Sequence, residues 1–195
     1  NQVLYAGGNT VVELMNARYH ALVAYGGKAF NFAFGHRQIN GVAVSNDGES
    51  VAFFLDEMTI PLEQMYYDKV DNVYVVSMAE VVLAGLETAD NQVFDLGITK
   101  EEVAKLSQLG LVKTLRPSLY DDRTAPYFKV VSGEFVPGKE GLFLTVYDAN
   151  MSALSCFVYA VDGEGIDFAF LDAHPNQGEN NRCCVVGDVA YTISN

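Results

Sequence analysis

The amino-acid sequence predicts an α+β fold that is predominantly antiparallel β, with meanders and hairpins in a sandwich or barrel and about three helices in the first 110 residues. The C-terminal third supports this, because strand-length runs rich in β-branched and aromatic residues alternate there with short Gly, Asp, Asn and Pro breaks. The N-terminal part adds Thr/Ser-x-x-Glu patterns, which are typical of helix N-termini. The composition, with 50% hydrophobic residues, is that of a globular protein.

The first predicted helix covers residues 10–25. Thr10 and Glu13 have the spacing of a capping box, in which the two side chains accept hydrogen bonds from backbone N–H groups at the start of a helix. Apolar residues then recur at helical spacing, and Gly26-Gly27 supplies residues that end a helix easily in the left-handed conformation.

Two further helices are predicted by the same capping pattern. Segment 77–87 begins Ser-Met-Ala-Glu, and segment 99–109 begins Thr-Lys-Glu-Glu and is followed by Gly110. Pro61 suits the first turn of a short helical piece over 62–68.

The remaining regular segments are predicted as strands. Asn46-Asp47-Gly48 predicts a hairpin turn between two of them, because these residue types tolerate the positive φ of a tight turn. The predicted strands are 28–34, 39–44, 50–56, 72–76, 111–115, 127–135, 142–149, 154–161, 166–171 and 183–193.

Two late strands, 142–147 and 154–161, are apolar on both faces. An antiparallel sheet with one solvated face alternates apolar and polar residues, so both faces of these strands should be covered. The aromatic face is predicted to be an interface with another subunit, and the alternative is the interior of a sandwich or barrel. That face consists of Phe143, Tyr147, Phe157 and Tyr159.

The predicted domain organisation is a single compact unit over 1–195. The alternative is a pair of lobes, a mixed α/β lobe over 1–117 and an all-β lobe over 127–195. Segment 118–126 would join them, because it lacks periodicity and is rich in turn-forming residues.

Charge and cysteine content restrict the function classes. Twelve basic and 25 acidic residues give a net charge of −13, whereas direct nucleic-acid binding needs a basic surface. The apolar runs are shorter than the roughly 20 residues of a membrane span. Three cysteines, of which two are adjacent, make a poor disulfide framework and favour a reducing compartment.

The candidate catalytic residues are His174, which begins the polar segment 174–182, and Asp172 and Cys183, which flank that segment. A Cys–His or His–carboxylate pair has the composition of a catalytic site, although the spacing alone does not guarantee that the side chains meet. No metal site is predicted, because the adjacent Cys183 and Cys184 point to opposite faces of a strand. No nucleotide-binding or other cofactor motif is found.

We therefore expect a non-enzymatic structural or protein-binding module that self-assembles or docks on a protein partner, such as a component of a viral or phage particle. Aromatic residues without a convergent titratable motif favour this class. One alternative is a small hydrolase or transferase that uses the His174 segment. Another is an acidic inhibitor that mimics nucleic acid, which the net charge of −13 suggests.

Overall fold

The structure is a computed structural model that describes residues 4–35, 37–55, 73–83, 92–96, 108, 112–115, 129–136, 141–147, 153–161, 165–174, 182–186 and 189–193. Within these ranges the chain forms fifteen strands, one α-helix and one 3-10 turn. The strands are β1 (Leu4–Gly7), β2 (Thr10–Met15), β3 (His20–Tyr25), β4 (Lys28–Ala33), β5 (Ile39–Val44), β6 (Ser50–Leu55), β7 (Val73–Ser77), β8 (Val93–Asp95), β9 (Val112–Leu115), β10 (Lys129–Phe135), β11 (Gly141–Tyr147), β12 (Ala153–Val161), β13 (Gly165–His174), β14 (Arg182–Val186) and β15 (Val189–Ile193).

The prediction of about three helices is wrong. The described residues form mostly antiparallel sheets with one short helix, α1 (Met78–Leu83), and the 3-10 turn Asn16–Arg18. Segment 10–25, predicted as a helix, is the β2–β3 hairpin. No helix in the described ranges is long and apolar enough to cross a membrane.

The helix prediction for 10–25 failed because its burial has a period of two rather than 3.6. Val12, Ala21 and Val23 are fully buried, whereas their neighbours Val11 and Ala24 are exposed. Gly26-Gly27, interpreted as a helix stop, instead connects β3 to β4 with positive φ values of 58° and 76°.

The helix predicted over 77–87 is α1, which is described over Met78–Leu83. Its capping pattern is recognisable, because the Glu80 backbone N–H donates a long hydrogen bond of 3.5 Å to the Ser77 hydroxyl. Segment 62–68, nearly all of 99–109 and the predicted linker 118–126 lie outside the described residues.

The strands form three sheets and a separate hairpin. Sheet A has the order β1-β2-β3-β4-β8, and its pairs are antiparallel except for β8, which runs parallel to β4. Sheet B has the order β5-β6-β7-β9, and sheet C is the meander β10-β11-β12-β13. The final run 183–193, predicted as one strand, is two paired strands, β14 and β15.

The main hydrophobic core lies between sheet A and sheet B. Phe32 of β4 meets Phe53 of β6 edge-on, with ring centroids 6.2 Å apart. Phe34 lies against both Phe53 and Tyr74, at centroid distances of 5.0 and 5.2 Å. Aromatic pairs at such distances contribute about 0.5–1.5 kcal/mol each beyond the area that they bury.

Sheet B is covered on both of its faces at β6. Val51, Phe53 and Leu55 belong to the core with sheet A, and the alternate residues Ala52 and Phe54 are also buried. Phe54 meets sheet C, where a Cβ atom added at Gly133 of β10 would lie 2.7 Å from Phe54 Cζ. Glycine at this position therefore lets sheet C approach sheet B closely.

Candidate functional site

The structure places the candidate catalytic residues on two different strand pairs. Asp172 and His174 lie in β13 and pair in register with Ser155 and Ala153 of β12. Cys183 lies in β14, in the separate hairpin, opposite Thr192. Their action as one catalytic set stays a prediction. In the described ranges no group of three or more His, Cys, Asp or Glu side chains could hold a metal ion.

The predicted aromatic interface lies in the centre of sheet C. Phe143 of β11 pairs with Phe157 of β12, Tyr147 pairs with Ala153, and Tyr159 pairs with Gly141. Phe143 is only 1% exposed, so its ring is covered within the single chain. The interface role of these four residues stays a prediction.

A different surface is both apolar and open, namely the face of sheet A that points away from sheet B. Cross-strand partners in a sheet share a face, so the pairing of sheet A defines its rows. The first row is Ala6, Val11, Ala24 and Ala29. The second row is Leu4, Glu13, Leu22, Asn31 and Val93. We call these two rows, together with Met15 and His20, the outer face of sheet A.

The apolar side chains of the outer face are accessible to solvent. Leu4 is 59% exposed, Val11 41%, Met15 40% and Val93 39%, and the three alanines are also exposed. Met15 and His20 begin a third row, and the exposed surface ends within that row at Ala33, the partner of His20, which is buried. Contiguous exposed apolar surface of this kind marks interaction sites more often than single exposed residues do.

Three polar side chains, Glu13, His20 and Asn31, are half-buried on the outer face. The Asn31 Oδ1 atom is buried and accepts no hydrogen bond in the described part of the chain. Such an unsatisfied acceptor costs about 1–3 kcal/mol. No lysine or arginine occurs among the residues that define the outer face. The surface therefore combines apolar area with a negative charge.

A left-handed turn fixes one end of the outer face. Asn16, Ala17 and Arg18 have φ values of 49°, 51° and 72°, a conformation that costs non-glycine residues about 1–2 kcal/mol each. Hydrogen bonds between this turn and the start of β5 offset the strain. The Arg18 guanidinium donates to the Asn40 carbonyl oxygen, and Gln38 Nε2 donates to the Ala17 carbonyl oxygen at 3.2 Å.

The opposite end is held by contact between two hairpin turns, one from each core sheet. The buried Thr10 hydroxyl donates a hydrogen bond of 2.6 Å to the Gly48 carbonyl oxygen. Gly48 has a φ of 78°, and a Cβ atom there would lie 2.8 Å from both the Gly7 carbonyl oxygen and Thr10 Oγ1. This contact fixes the position of sheet A relative to sheet B.

Hydrogen bonds within and around the β5–β6 turn stabilise its conformation. Asp47 Oδ1 accepts from the Ser45 hydroxyl at 2.5 Å and from the Glu49 backbone N–H at 2.9 Å. The bond from Ser45 is the largest cause that holds the pKa of the Asp47 carboxyl below its ordinary value, followed by the bond from Glu49. The Tyr25 hydroxyl donates to Glu49 Oε2 at 2.8 Å, and this bond is the main cause that raises the pKa of Tyr25.

A second exposed apolar group lies on the β14–β15 hairpin. Val186 and Val189 are cross-strand partners, and Tyr191 lies in the same hairpin opposite Cys184. All three are more than half exposed. This group spans two strands, whereas the outer face of sheet A spans five.

The outer face was missed at the sequence level because 10–25 was interpreted with helical periodicity. A period of two would have grouped Val11, Glu13 and Met15 on one face and Val12 and Leu14 on the other. The Gly26-Gly27 pair between two such segments is a hairpin signal of the same kind as Asn46-Asp47-Gly48.

Comparison with known proteins identifies no relative: no protein-family model matches this chain, and no curated protein or solved structure shows a significant match. What the outer face can do follows from its own residues. It offers contiguous apolar area, one carboxylate and one buried amide oxygen on a hydrogen-bonded sheet. Such a surface is suited to contact with another protein.

Proposed function

We propose that this chain is a non-enzymatic structural or protein-binding module and that the outer face of sheet A is its contact surface for another protein molecule. The observation that carries the proposal is the exposure of Leu4, Val11, Met15 and Val93 on one continuous sheet face. Burying apolar surface contributes about 25 cal/mol per Å², so covering this face would stabilise a complex.

The construction of the face supports the proposal. Its five strands are paired side by side, and its inner side is anchored by buried residues such as Val12, Val23 and Phe32. A preformed surface loses little conformational entropy when a partner binds. The Asn31 amide oxygen accepts no hydrogen bond in the described residues. Its burial lowers stability, and folding alone does not require an amide at this position.

The test is light scattering on a sizing column over a wide concentration range, at low and high salt. Screening the charge of −13 with salt removes repulsion, so we expect the weight-average mass of the wild type to rise with concentration at high salt. Val11→Lys should suppress this rise, because it places a charge in the middle of the first row.

The matched control is Val82→Lys on α1. Val82 is 37% exposed, close to the 41% of Val11, and the substitution changes the net charge by the same amount. If Val11→Lys and Val82→Lys have the same effect on the rise in mass, the proposal is contradicted. The effect would then come from the added charge and not from its position on the outer face.

A further inference from the structure

We propose that the chain modifies itself at Asn40-Gly41, where Arg18 promotes the loss of ammonia from the Asn40 side chain and the formation of an isoaspartate. This inference goes beyond the contact role of the outer face, because it concerns a single-turnover change of the chain itself. It is carried by a dipeptide, a β-bulge and a hydrogen bond between two segments of the fold.

The dipeptide supplies the reacting groups. Asn40-Gly41 is the only Asn-Gly pair in the sequence. The Gly41 backbone nitrogen can attack the side-chain carbonyl carbon Cγ of Asn40 and close a succinimide ring. Glycine favours this step, because it has no Cβ atom to obstruct the approach and its backbone is conformationally free.

A β-bulge places Asn40 outside the regular ladder between β5 and β6. Ile39 pairs with Leu55 and Gly41 pairs with Phe54, so Asn40 is an extra residue between two paired ones. A bulge locally disrupts the ladder and bends its strand. Asn40 is also partly exposed. Its backbone is therefore less constrained than that of a regular strand residue, and water can reach it.

The hydrogen bond from Arg18 activates the peptide group that reacts. Arg18 Nη2 donates to the Asn40 carbonyl oxygen, which belongs to the same peptide group as the attacking Gly41 nitrogen. When hydroxide removes the proton of the Gly41 N–H, negative charge spreads onto this oxygen. A guanidinium that donates to the oxygen stabilises the charge. Because the contact joins the β2–β3 turn to β5, folding places the cation there.

The reaction consumes one water molecule and releases one ammonia molecule. The Gly41 nitrogen bonds to Cγ, the bond between Cγ and Nδ2 of Asn40 breaks, and the leaving nitrogen takes a proton from water. Water then opens the succinimide at either carbonyl carbon. Attack at the carbon whose oxygen accepts from Arg18 gives isoaspartate, and attack at Cγ gives aspartate. Arg18 polarises the first carbonyl group, so isoaspartate is the main product.

The experiment follows the conversion of Asn40 in the full chain at mildly alkaline pH, by peptide mapping with mass spectrometry and isoaspartate-specific enzymatic labelling. The wild type is compared with Arg18→Gln, Arg18→Lys and Lys28→Gln. Lys28 is the matched control, because it is an exposed cation in another hairpin of sheet A. Each protein is also incubated in concentrated urea, which removes the tertiary contact but keeps the dipeptide.

We expect folded Arg18→Gln to convert Asn40 about tenfold more slowly than the folded wild type, which corresponds to about 1.4 kcal/mol in activation free energy. Lys28→Gln should remain within about twofold of the wild type. Arg18→Lys keeps the charge but loses the planar guanidinium, so its rate should be intermediate. In urea all four proteins should convert Asn40 equally.

Equal rates in folded wild type and folded Arg18→Gln would overturn the inference. So would a folded wild type that leaves Asn40 unchanged while the urea-unfolded chain converts it. If circular dichroism shows that Arg18→Gln does not fold, Arg18→Lys decides. A slower rate than that of the wild type then supports the inference, and an equal rate overturns it.

Discussion

The Thr10 hydroxyl donates a hydrogen bond of 2.6 Å to the Gly48 carbonyl oxygen and so joins the first hairpin turn of sheet A to the first hairpin turn of sheet B. Both residues are buried, and the rows of the outer face begin directly after this contact, at Val11. The position of the proposed docking surface therefore depends on a contact on the other side of the sheet.

Thr10→Val should lower the free energy of unfolding by about 1–3 kcal/mol, because it keeps the side-chain volume but leaves the Gly48 carbonyl oxygen without its donor. Urea unfolding followed by circular dichroism measures this. Thr10→Ser, which retains the hydroxyl, should lower the free energy of unfolding less than Thr10→Val does. If the valine variant is as stable as the wild type, the hydrogen bond does not hold the two turns together.

Gly48→Ala should destabilise the protein more than Gly27→Ala. The two glycines have nearly equal φ values, 78° and 76°, so the left-handed backbone costs alanine about 1 kcal/mol at either position. Only at Gly48 does the new Cβ meet other atoms, which adds about 1–3 kcal/mol of overpacking. Thermal unfolding of both variants gives the comparison, and equal melting temperatures would show that the turns are not in close contact.

Asn31→Val should raise the free energy of unfolding by about 1–2 kcal/mol, because it removes a buried acceptor and adds a β-branched residue to a strand. The same variant makes the outer face more apolar and should increase its salt-dependent self-association. Asn31→Asp should lower the free energy of unfolding and reduce the salt-dependent self-association. A destabilised valine variant would mean that the amide is needed for folding.

Asp47 should make stability depend on pH in the acid range. Because its folded-state pKa lies below the ordinary value of 3.8, its contribution is fully present above pH 3.8 and is lost as the pH falls through the folded-state pKa. Asp47→Asn preserves an oxygen acceptor but does not titrate. Urea unfolding between about pH 5 and pH 2 should therefore show a shallower decline for this variant than for the wild type. If the free energy of unfolding falls equally with pH in the variant and in the wild type, the Asp47 carboxylate does not contribute to this pH dependence.

Much of the strand content could be predicted from the sequence. The segments 28–34, 39–44 and 50–56 and the Asn46-Asp47-Gly48 turn correspond to β4, β5, β6 and the turn between the last two. The strands of sheet C were also predicted, because their apolar runs are of strand length and are bounded by turn residues.

The outer face was not predicted, for a physical reason that concerns segment 10–25. Thr10 and Glu13 satisfy the capping-box pattern, yet the Thr10 hydroxyl bonds to Gly48, which lies 38 residues away. Tertiary contacts outweighed the local helix signal, because pairing β2 with β3 buries Val12, Ala21 and Val23 against sheet B. The helical stripe of the prediction mixed residues of both faces, such as the exposed Val11 and Met15 with the half-buried Leu14.

The measurement that tests the docking surface most directly is methyl NMR with a soluble paramagnetic relaxation agent, on dilute protein at low salt and on concentrated protein at high salt. The methyl groups of Val11 and Ala24 should be strongly broadened by the agent in the dilute protein and protected in the concentrated protein at high salt. The buried methyl groups of Val12 and Ala21 should stay unaffected in both states. If Val11 and Ala24 are already shielded in the dilute protein, or if they stay broadened in the concentrated protein at high salt, the outer face of sheet A is not the docking surface.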